Sequence, residues 1–193
     1  MRKVRTAILI SGRGSNMRSL VEAARAHDFP AEIVLVLSNR PGASGLDFAA
    51  QMGIQTVCVD HKAFGSRADF DAQMQNILLA ANIELVCLAG FMRLLTPAFV
   101  NAWRGRMINI HPALLPAYKG LHTHERALAD GAKQHGCTVH FVTPEMDEGE
   151  IILQRAVPVL AGDTPETLAA RVLEQEHIAY PEALASVAKR LQV

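Results

Sequence analysis

Short apolar runs that alternate with longer amphipathic stretches constrain the fold of this chain more than any other feature. The runs are rich in β-branched residues and end at turn residues, which is typical of strands, whereas the stretches between them have helical spacing. The predicted strands of this part are Thr6–Ile10, Glu32–Leu37, Gln55–Val59, Leu85–Leu88 and Met107–Ile110. The predicted helices are Asn16–His27, Ser44–Met52, Ser66–Ala81 and Pro97–Trp103. This alternation indicates consecutive βαβ units.

Continuous apolar strands such as IVLVL indicate a sheet that helices cover on both faces, and such sheets are mostly parallel. Because crossovers are right-handed, we predict an α/β fold with an open, mostly parallel, doubly wound (Rossmann-like) sheet flanked by helices. After Ile110 the pattern changes to a proline-containing loop, and we expect an antiparallel strand in this late part of the chain. The late elements are predicted as a helix at Thr123–Asp130, strands at Gly136–Val142 and Ile151–Val159, and a helix at Pro165–Leu191.

Glycine and proline predict how the two late helices begin and end. Gly131 should stop the first of them, because glycine adopts the left-handed conformation that ends many helices. Asp163 or Thr164 should cap the second, which has a proline in its first turn. Pro181 should kink or break that helix near Tyr180, since proline lacks the N–H that the helix needs.

Composition and charge limit the class of protein. The chain has 193 residues with 19 Lys and Arg against 19 Asp and Glu, so it lacks the basic excess of nucleic-acid binders. We expect a single domain over residues 1–193 and no membrane contact, since no run approaches the ~20 apolar residues of a span. Cys58, Cys87 and Cys137 form no C-x-x-C pair. Because Cys58 and Cys87 stand in apolar runs, we expect reduced, buried thiols and a cytoplasmic location.

A glycine-rich loop, Ser11-Gly12-Arg13-Gly14-Ser15-Asn16, follows the first strand and opens the first helix. Glycines allow close backbone approach, and a helix N-terminus presents free N–H groups to an anion, which favours a phosphate-bearing ligand. A plain tight turn with Asn16 as the helix cap is the alternative. Met17 replaces the third glycine of the dinucleotide fingerprint, yet Arg40 would suit a 2′-phosphate, so NADP binding stays open.

Asn109 and His111 precede the proline-containing loop. Strand alternation places them on one side, about 7 Å apart, at the carboxyl end of a strand where ligands bind in open α/β sheets. Histidine can move a proton near pH 7 and an asparagine amide can donate to a developing oxyanion, which suits formyl transfer to an amine. Capping of the loop backbone by the same two side chains is the alternative.

Asp147 lies in the acidic segment Glu145–Glu150. Its carboxylate would orient a histidine, or alternatively the whole segment is a solvated turn. No spacing rule connects Asp147 to His111. We expect His140 to be either a buried core residue or a wall of the site. His122 and His124 lack a third ligand at zinc spacing, so they are expected to bond within the loop, and no metal is predicted. The histidines predicted at the surface are His27, His61 and His135.

Five segments together resemble the folate-dependent formyltransferases: ISGRGSN, LAGFMRLL, INIHPALLPAYKGLHTH, HGCTVHFVT and QEH. The similarity runs from Ile8 to about Pro181, and GLHTH is similar to the members that act on glycinamide ribonucleotide in purine biosynthesis. The resemblance implies small-molecule substrates. The amine of 5′-phosphoribosylglycinamide would attack the formyl group of the co-substrate 10-formyltetrahydrofolate through a tetrahedral intermediate.

The resemblance also implies roles for the matching positions. Asn109 would hold the oxygen of the tetrahedral intermediate, His111 would shuttle protons, and Asp147 would favour the protonated form of His111. The residues implied to bind the ribonucleotide and its phosphate are Gly14, Ser15, Asn16 and Glu176. The residues implied to bind the folate are Arg67, Met92, Arg93, Leu94, Leu95, Asn109, Thr143, Pro144, Glu145, Met146 and Asp147. Without the resemblance, we would expect Glu176 and Arg67 to be exposed charges on helices. Segment 91–95 would be as readily a part of the buried core as a binding wall.

Other functions are compatible with the sequence, and the sequence departs from the family pattern in two places. The alternatives are a 10-formyltetrahydrofolate hydrolase and a non-catalytic nucleotide- or NADP-binding module, while a tRNA formyltransferase would need a basic RNA surface. Ala113 stands where serine is common, and Glu148 and Glu150 make the Asp147 turn more acidic than is usual. Neither departure removes a catalytic group. We expect a monomer or a homodimer.

Overall fold

The computed structural model describes residues 2–192. Its strands are β1 (Val4–Ile10), β2 (Ala31–Ser38), β3 (Gln55–Cys58), β4 (Leu85–Leu88), β5 (Met107–His111), β6 (Gln134–Phe141) and β7 (Ile151–Pro158). Its helices are α1 (Ser15–Ala24), α2 (Ser44–Gln51), α3 (Arg67–Ala80), α4 (Pro97–Ala102), α5 (Thr123–Ala129) and α6 (Pro165–Leu191), with a 3₁₀ turn at His61–Ala63. All the predicted elements are present, with ends shifted by a few residues. None of the helices within residues 2–192 is long and apolar enough to cross a membrane. Met1 and Val193, which the predicted single domain includes, lie outside the described residues.

The strands form one sheet in the order β3-β2-β1-β4-β5-β6-β7. Strands β1 to β5 are parallel, whereas β6 is antiparallel to both β5 and β7. The predicted open, mostly parallel sheet with a late antiparallel strand is therefore confirmed. Because β1 lies between β2 and β4, the strand order reverses there. The crevice at the carboxyl ends of β1 and β4 is thus the switch point where such sheets bind ligands.

Both faces of the sheet are buried, and β1 shows how. Ile8 and Ile10 belong to one apolar cluster with α1 and α6, while Ala7 and Leu9 belong to another with α3 and α4. All four side chains are fully buried. Burying a large aliphatic side chain stabilises a fold by about 1.5–3 kcal/mol. The alternate residues of β1 therefore stabilise the packing of helices against both faces of the sheet. The result is a rigid platform for the loops at the carboxyl edge.

Helix α6 continues through Pro181 without interruption, so of the kink or break predicted near Tyr180 the break is wrong. Packing holds the helix on the sheet at this point. Tyr180 is fully buried, and its hydroxyl lies 2.8 Å from the carbonyl oxygen of Leu88 and 3.1 Å from that of Ile108. Anchoring to β4 and β5 offsets the backbone hydrogen bond that proline cannot make. Thr164 caps the start of α6, as predicted.

Two side chains lie elsewhere than their sequence context predicts. Cys58 is exposed, because β3 is an edge strand and its apolar run is only partly covered. His135 is 1% exposed, so its predicted surface position is wrong. The ring of His124, at the start of α5, packs edge-on against it with centroids 5.1 Å apart. The exposure of Cys58 depends on the position of β3 in the sheet, and the burial of His135 depends on contacts with another element. Local sequence patterns show neither.

Candidate active site

A cleft of about 270 Å³, called the small cleft below, lies over the glycine loop at the carboxyl end of β1. It is lined by Ser11, Gly12, Arg13, Gly14, Ser15, Asn16, Arg40, Ala89, Gly90 and Met92. Gly14 has a left-handed φ of 68° at the N-cap of α1, and no side chain caps this helix. The alternative with Asn16 as the cap is therefore wrong. Uncapped N–H groups, the helix dipole and the nearby Arg13 and Arg40 all favour an anion in this cleft.

Asn16 instead connects the glycine loop to α6. Its Nδ2 donates to Oε2 of Glu176 at 2.6 Å, across a sequence separation of 160 residues. Glu176 is 7% exposed, so the expectation of an ordinary exposed helix glutamate is wrong. Burial raises the pKa of Glu176, and the hydrogen bond from Asn16 opposes this shift. A buried carboxyl group at this point can accept a hydrogen bond from a ligand that extends out of the small cleft.

A larger cavity of about 780 Å³, called the large cavity, adjoins the small cleft and shares Asn16, Gly90 and Met92 with it. Its other lining residues come mainly from the segments 88–95, 109–112, 120–125 and 140–147, together with Val100 and Glu176. Apolar side chains form much of the wall, and polar side chains such as Asn109, His111, His140 and Asp147 line it as well. Such a site suits a flat, partly apolar ligand that a small number of polar contacts orient.

Nearly all of the residues predicted to bind folate line the large cavity. Met92 is 59% exposed and Leu94 is 55% exposed, so the alternative in which segment 91–95 is core is wrong for these side chains. Arg67 is the exception. It is exposed in the first turn of α3 and lines neither the small cleft nor the large cavity. The structure therefore does not bring Arg67 together with the other predicted site residues.

Asn109, His111 and Asp147 meet in the large cavity. Nδ1 of His111 lies 3.5 Å from Oδ2 of Asp147, and the Asp147 side chain is only 11% exposed. The alternative of a solvated acidic turn is therefore wrong for Asp147, although Glu145, Glu148 and Glu150 of the same turn are exposed. Nε2 of His111 lies 2.8 Å from the carbonyl oxygen of Tyr118, to which it donates. His111 thus does bind loop backbone, as one alternative expected, but its other nitrogen faces a carboxylate at the cavity.

The loop that carries Asp147 has an unusual backbone held by specific contacts. Asp147 has a φ of 55°, in the left-handed region that few residues other than glycine adopt. Its Oδ2 accepts a hydrogen bond of 2.9 Å from the N–H of Gly120. Glu148, one of the departures from the family pattern, lies 2.8 Å from the ammonium group of Lys119. At Gly149 a Cβ atom would lie 1.6 Å from the carbonyl oxygen of Phe141, so only glycine fits there.

His140 fulfils both roles that were predicted as alternatives. It is 2% exposed, it lines the large cavity, and its Nδ1 lies 2.9 Å from the carbonyl oxygen of Phe141. Burial lowers the pKa of this imidazole, which favours the neutral ring with a proton on Nδ1. Its Nε2 can then accept from Nδ2 of Asn109 at 3.3 Å. This contact fixes the plane of the Asn109 amide and leaves its second N–H for a ligand.

A pair of histidines supports the wall formed by segment 120–125. Nδ1 of His124 lies 3.2 Å from Nε2 of His135. Burial lowers the pKa of His135 to about 4 and also lowers the pKa of His124. His122, in contrast, has a side chain that is 74% exposed and lies 3.5 Å from Glu125. The described residues contain no group of three His, Cys, Asp or Glu side chains arranged to hold a metal ion.

Sequence reasoning missed several groups that shape the site. The carbonyl of Tyr118 and the N–H of Gly120 belong to the backbone, so no residue type signals them. Leu121, which is 65% exposed, adds an apolar wall that its loop context did not suggest. The hydroxyl of Ser11 accepts a hydrogen bond from the N–H of Met92, 81 positions along the chain. Only the order of strands in the sheet brings these groups to one edge.

Comparison with known proteins identifies the family. A sequence model described as formyl transferase matches residues 4–184. The chain belongs to the formyl transferase family. A formyl transferase from Escherichia coli (strain K12), phosphoribosylglycinamide formyltransferase, is 47% identical over 174 residues, covering 90% of this chain and 82% of that protein.

Longer relatives contain a similar segment. The trifunctional purine biosynthetic protein adenosine-3 of Drosophila melanogaster is 50% identical over 186 residues, which is 95% of this chain and 14% of that protein. The corresponding human protein is 48% identical over 187 residues, and the match is 18% of its length. This formyl transferase chain therefore spans less than a fifth of the trifunctional proteins that it matches.

Solved structures show the same fold. The crystal structure of phosphoribosylglycinamide formyltransferase from Brucella melitensis superposes with a TM-score of 0.94 at 51% identity, covering 97% of this chain and 96% of that one. Glycinamide ribonucleotide transformylase 1 from Symbiobacterium toebii gives a TM-score of 0.94 at 45% identity. The seven-stranded sheet described above is thus the fold of these formyl transferases.

Proposed function

We propose that the protein transfers the formyl group of 10-formyltetrahydrofolate to the amine of 5′-phosphoribosylglycinamide, a step of purine biosynthesis. The observation that carries the proposal is the junction of the two cavities. An anion site at a helix N-terminus opens directly into an apolar cavity that holds Asn109, His111 and Asp147. The names of the relatives at 47% and 51% identity support the same reaction.

The two cavities suit the two substrates. The phosphate of the ribonucleotide would bind in the small cleft to the N–H groups of Gly14, Ser15 and Asn16. Glu176, at the boundary between the cavities, would accept hydrogen bonds from the ribonucleotide. The pterin of the folate would lie in the large cavity, against segment 92–95 and the loop Thr143–Asp147. This arrangement would bring the amine and the formyl group together where the two cavities meet, beside the shared residues Asn16, Gly90 and Met92.

The polar groups at the junction suit attack by an amine on a formyl carbon. As the new C–N bond forms, negative charge develops on the formyl oxygen, where the free N–H of Asn109 can donate. Nε2 of His111 keeps its proton on the carbonyl of Tyr118, so Nδ1 is the nitrogen free to exchange a proton. The carboxylate of Asp147, 3.5 Å away, attracts the imidazolium that results. Collapse of the intermediate breaks the bond to N10 of the folate, which takes up the proton lost by the amine.

Further expectations belong to the same proposal. Arg67 has only the family resemblance as support for a folate contact, since it lines neither cavity. We also propose that the enzyme works in the cytoplasm, as a monomer or a homodimer, on small-molecule substrates and without a metal.

A spectrophotometric assay tests the proposal. Consumption of 10-formyltetrahydrofolate, or of its 5,8-dideaza analogue, should depend strictly on added 5′-phosphoribosylglycinamide. Release of formate in the absence of the amine would instead indicate a hydrolase. Tight binding of NADP, with no affinity for either proposed substrate, would indicate a nucleotide-binding module. An active-site variant, His111→Ala, measured in parallel, excludes a contaminating activity.

A further inference from the structure

The hydroxyl of Ser11 connects three loops at the carboxyl edge of the sheet. Ser11 follows β1, Asn39 follows β2 and Met92 lies in the segment after β4. The hydroxyl donates to Oδ1 of Asn39 at 2.5 Å and accepts from the N–H of Met92 at 2.8 Å. One side chain therefore uses both its donor and its acceptor capacity to hold neighbouring loops together.

The contact between Ser11 and Asn39 is shielded from water, and the contact with Met92 is partly buried. Ser11 is 6% exposed and Asn39 is 1% exposed. Nδ1 of His61, in the 3₁₀ turn, lies 2.8 Å from the carbonyl oxygen of Asn39 and fixes that residue from the other side. Buried hydrogen bonds of this kind restrict motion more than exposed ones, because no water molecule can replace a lost partner.

The loops that Ser11 joins belong to different binding sites. Ser11 begins the glycine loop that surrounds the small cleft, whereas Met92 lines both the small cleft and the large cavity. In formyl transfer the phosphate end of one substrate and the ring of the other are held by these two segments. Their separation therefore sets the distance between the amine and the formyl carbon. Small errors in such a distance lower rates steeply, since a misplacement of about 1 Å can cost about a hundredfold.

We infer that Ser11 is a positioning residue, which holds the glycine loop and the Met92 segment at the separation that formyl transfer requires. The inference rests on the proposed function. Ser11 contributes little to the affinity for either substrate by itself, because the phosphate binds backbone N–H groups and the folate binds the wall of the large cavity. Its contribution is realised only when both substrates are bound and must meet.

The test compares Ser11→Ala with Ser11→Thr, which keeps a hydroxyl, and with Thr164→Ala as a matched control. Thr164 also accepts a hydrogen bond from a backbone N–H, but at the start of α6. Ser11→Ala should lower kcat by about 10- to 100-fold. The dissociation constants of 5′-phosphoribosylglycinamide and of tetrahydrofolate, each titrated alone by calorimetry, should stay within about threefold of the wild type. Ser11→Thr should recover most of kcat, and Thr164→Ala should leave both quantities unchanged.

A double-mutant cycle with Asn39→Ala keeps the inference testable if the methyl group of threonine does not fit. The two substitutions remove the same connection, so their effects on kcat should be far from additive. A kcat within twofold of the wild type in Ser11→Ala would overturn the inference. Loss of affinity for the single substrates in proportion to kcat would overturn it too, because it would place Ser11 in binding. Failure of the proposed function is distinguishable, since the wild-type enzyme itself would then lack amine-dependent turnover.

Discussion

The small cleft and the large cavity adjoin each other, yet they are built in different ways. The small cleft is formed largely by one continuous segment, Ser11–Asn16, and its donors are backbone N–H groups at the start of α1. The polar side chains of Asn109, His111, His140, Asp147 and Glu176 reach the large cavity from β5, β6, the loop around Asp147 and α6, which are distant in sequence. A single turn thus supplies the backbone donors of the small cleft, whereas the polar side chains of the large cavity are brought together only by the complete sheet.

This difference predicts opposite sensitivities to mutation. A site made of backbone donors loses little when one side chain is replaced, because the donors remain. A site made of converging side chains depends on each of them and on the loops that orient them. We therefore expect the largest effects on activity from substitutions of the polar groups of the large cavity, and the smallest from side chains of the small cleft that, among the described residues, make no contact between loops, such as Arg40.

The largest effects should come from His111→Ala and Asp147→Asn. Each should lower kcat by ~10²–10⁴, the range that general acid–base groups contribute. His111 loses the group that exchanges the proton, and asparagine at position 147 loses the charge that stabilises the imidazolium. Steady-state kinetics together with thermal melting should show the loss of rate without loss of the fold. The exposed His27 provides a matched control, and turnover near the wild-type level in both site variants would refute the assignment.

Gly149→Ala should lower kcat less than the substitutions of His111 and Asp147 do. The new Cβ would meet the carbonyl oxygen of Phe141 at 1.6 Å, so the loop must shift and carry Asp147 away from His111. We expect kcat to fall by about 10- to 100-fold, since the acid–base pair loses its geometry. Affinity for 5′-phosphoribosylglycinamide, measured by calorimetry, should change much less, because the small cleft lies on other segments. Gly65→Ala is the control, since a Cβ there meets nothing within 4 Å. Equal losses in both variants would contradict the steric explanation.

The same contrast explains how much the sequence could predict. The strands and the glycine loop follow local patterns, so their positions were predicted within a few residues. The antiparallel β6 was expected from the late change of pattern. The possible break at Pro181 does not occur, because the anchoring of Tyr180 to β4 and β5 depends on tertiary packing that the local sequence does not show.

The large cavity could not be assembled from spacing alone. His111 and Asp147 are 36 positions apart, and only family resemblance connected them before the structure did. The buried state of Glu176 depends on a partner 160 residues away, Asn16. The contacts of His111 with Tyr118 and of Asp147 with Gly120 use backbone atoms, which sequence patterns do not distinguish. Resemblance also pointed to Arg67, which the structure leaves outside both cavities.

Acid should lower the stability of the fold through His135, whose partner His124 lines the large cavity. In the folded state burial lowers the pKa of His135 from 6.5 to about 4, so the unfolded chain binds a proton that the folded chain does not. The stability from this site is complete above pH 6.5 and decreases as the pH falls toward 4. We expect a loss of about 1–2 kcal/mol by pH 5, measured by urea unfolding at several pH values. His135→Gln should show a shallower pH dependence, and an unchanged slope would refute the assignment to His135.

The smallest effect should follow Arg40→Gln in the small cleft. Arg40 is exposed, so its attraction for a phosphate is screened by water and salt and amounts to about 1 kcal/mol. The N–H groups of the glycine loop remain, and KM for 5′-phosphoribosylglycinamide should therefore rise only about three- to tenfold while kcat is retained. The increase should shrink when KM is measured at higher ionic strength. Arg104→Gln, whose arginine lines neither cavity, is the control. A fall in kcat at unchanged KM in Arg40→Gln would contradict this expectation, because Arg40, unlike Ser11, makes no contact within residues 2–192 that joins the loops of the two cavities.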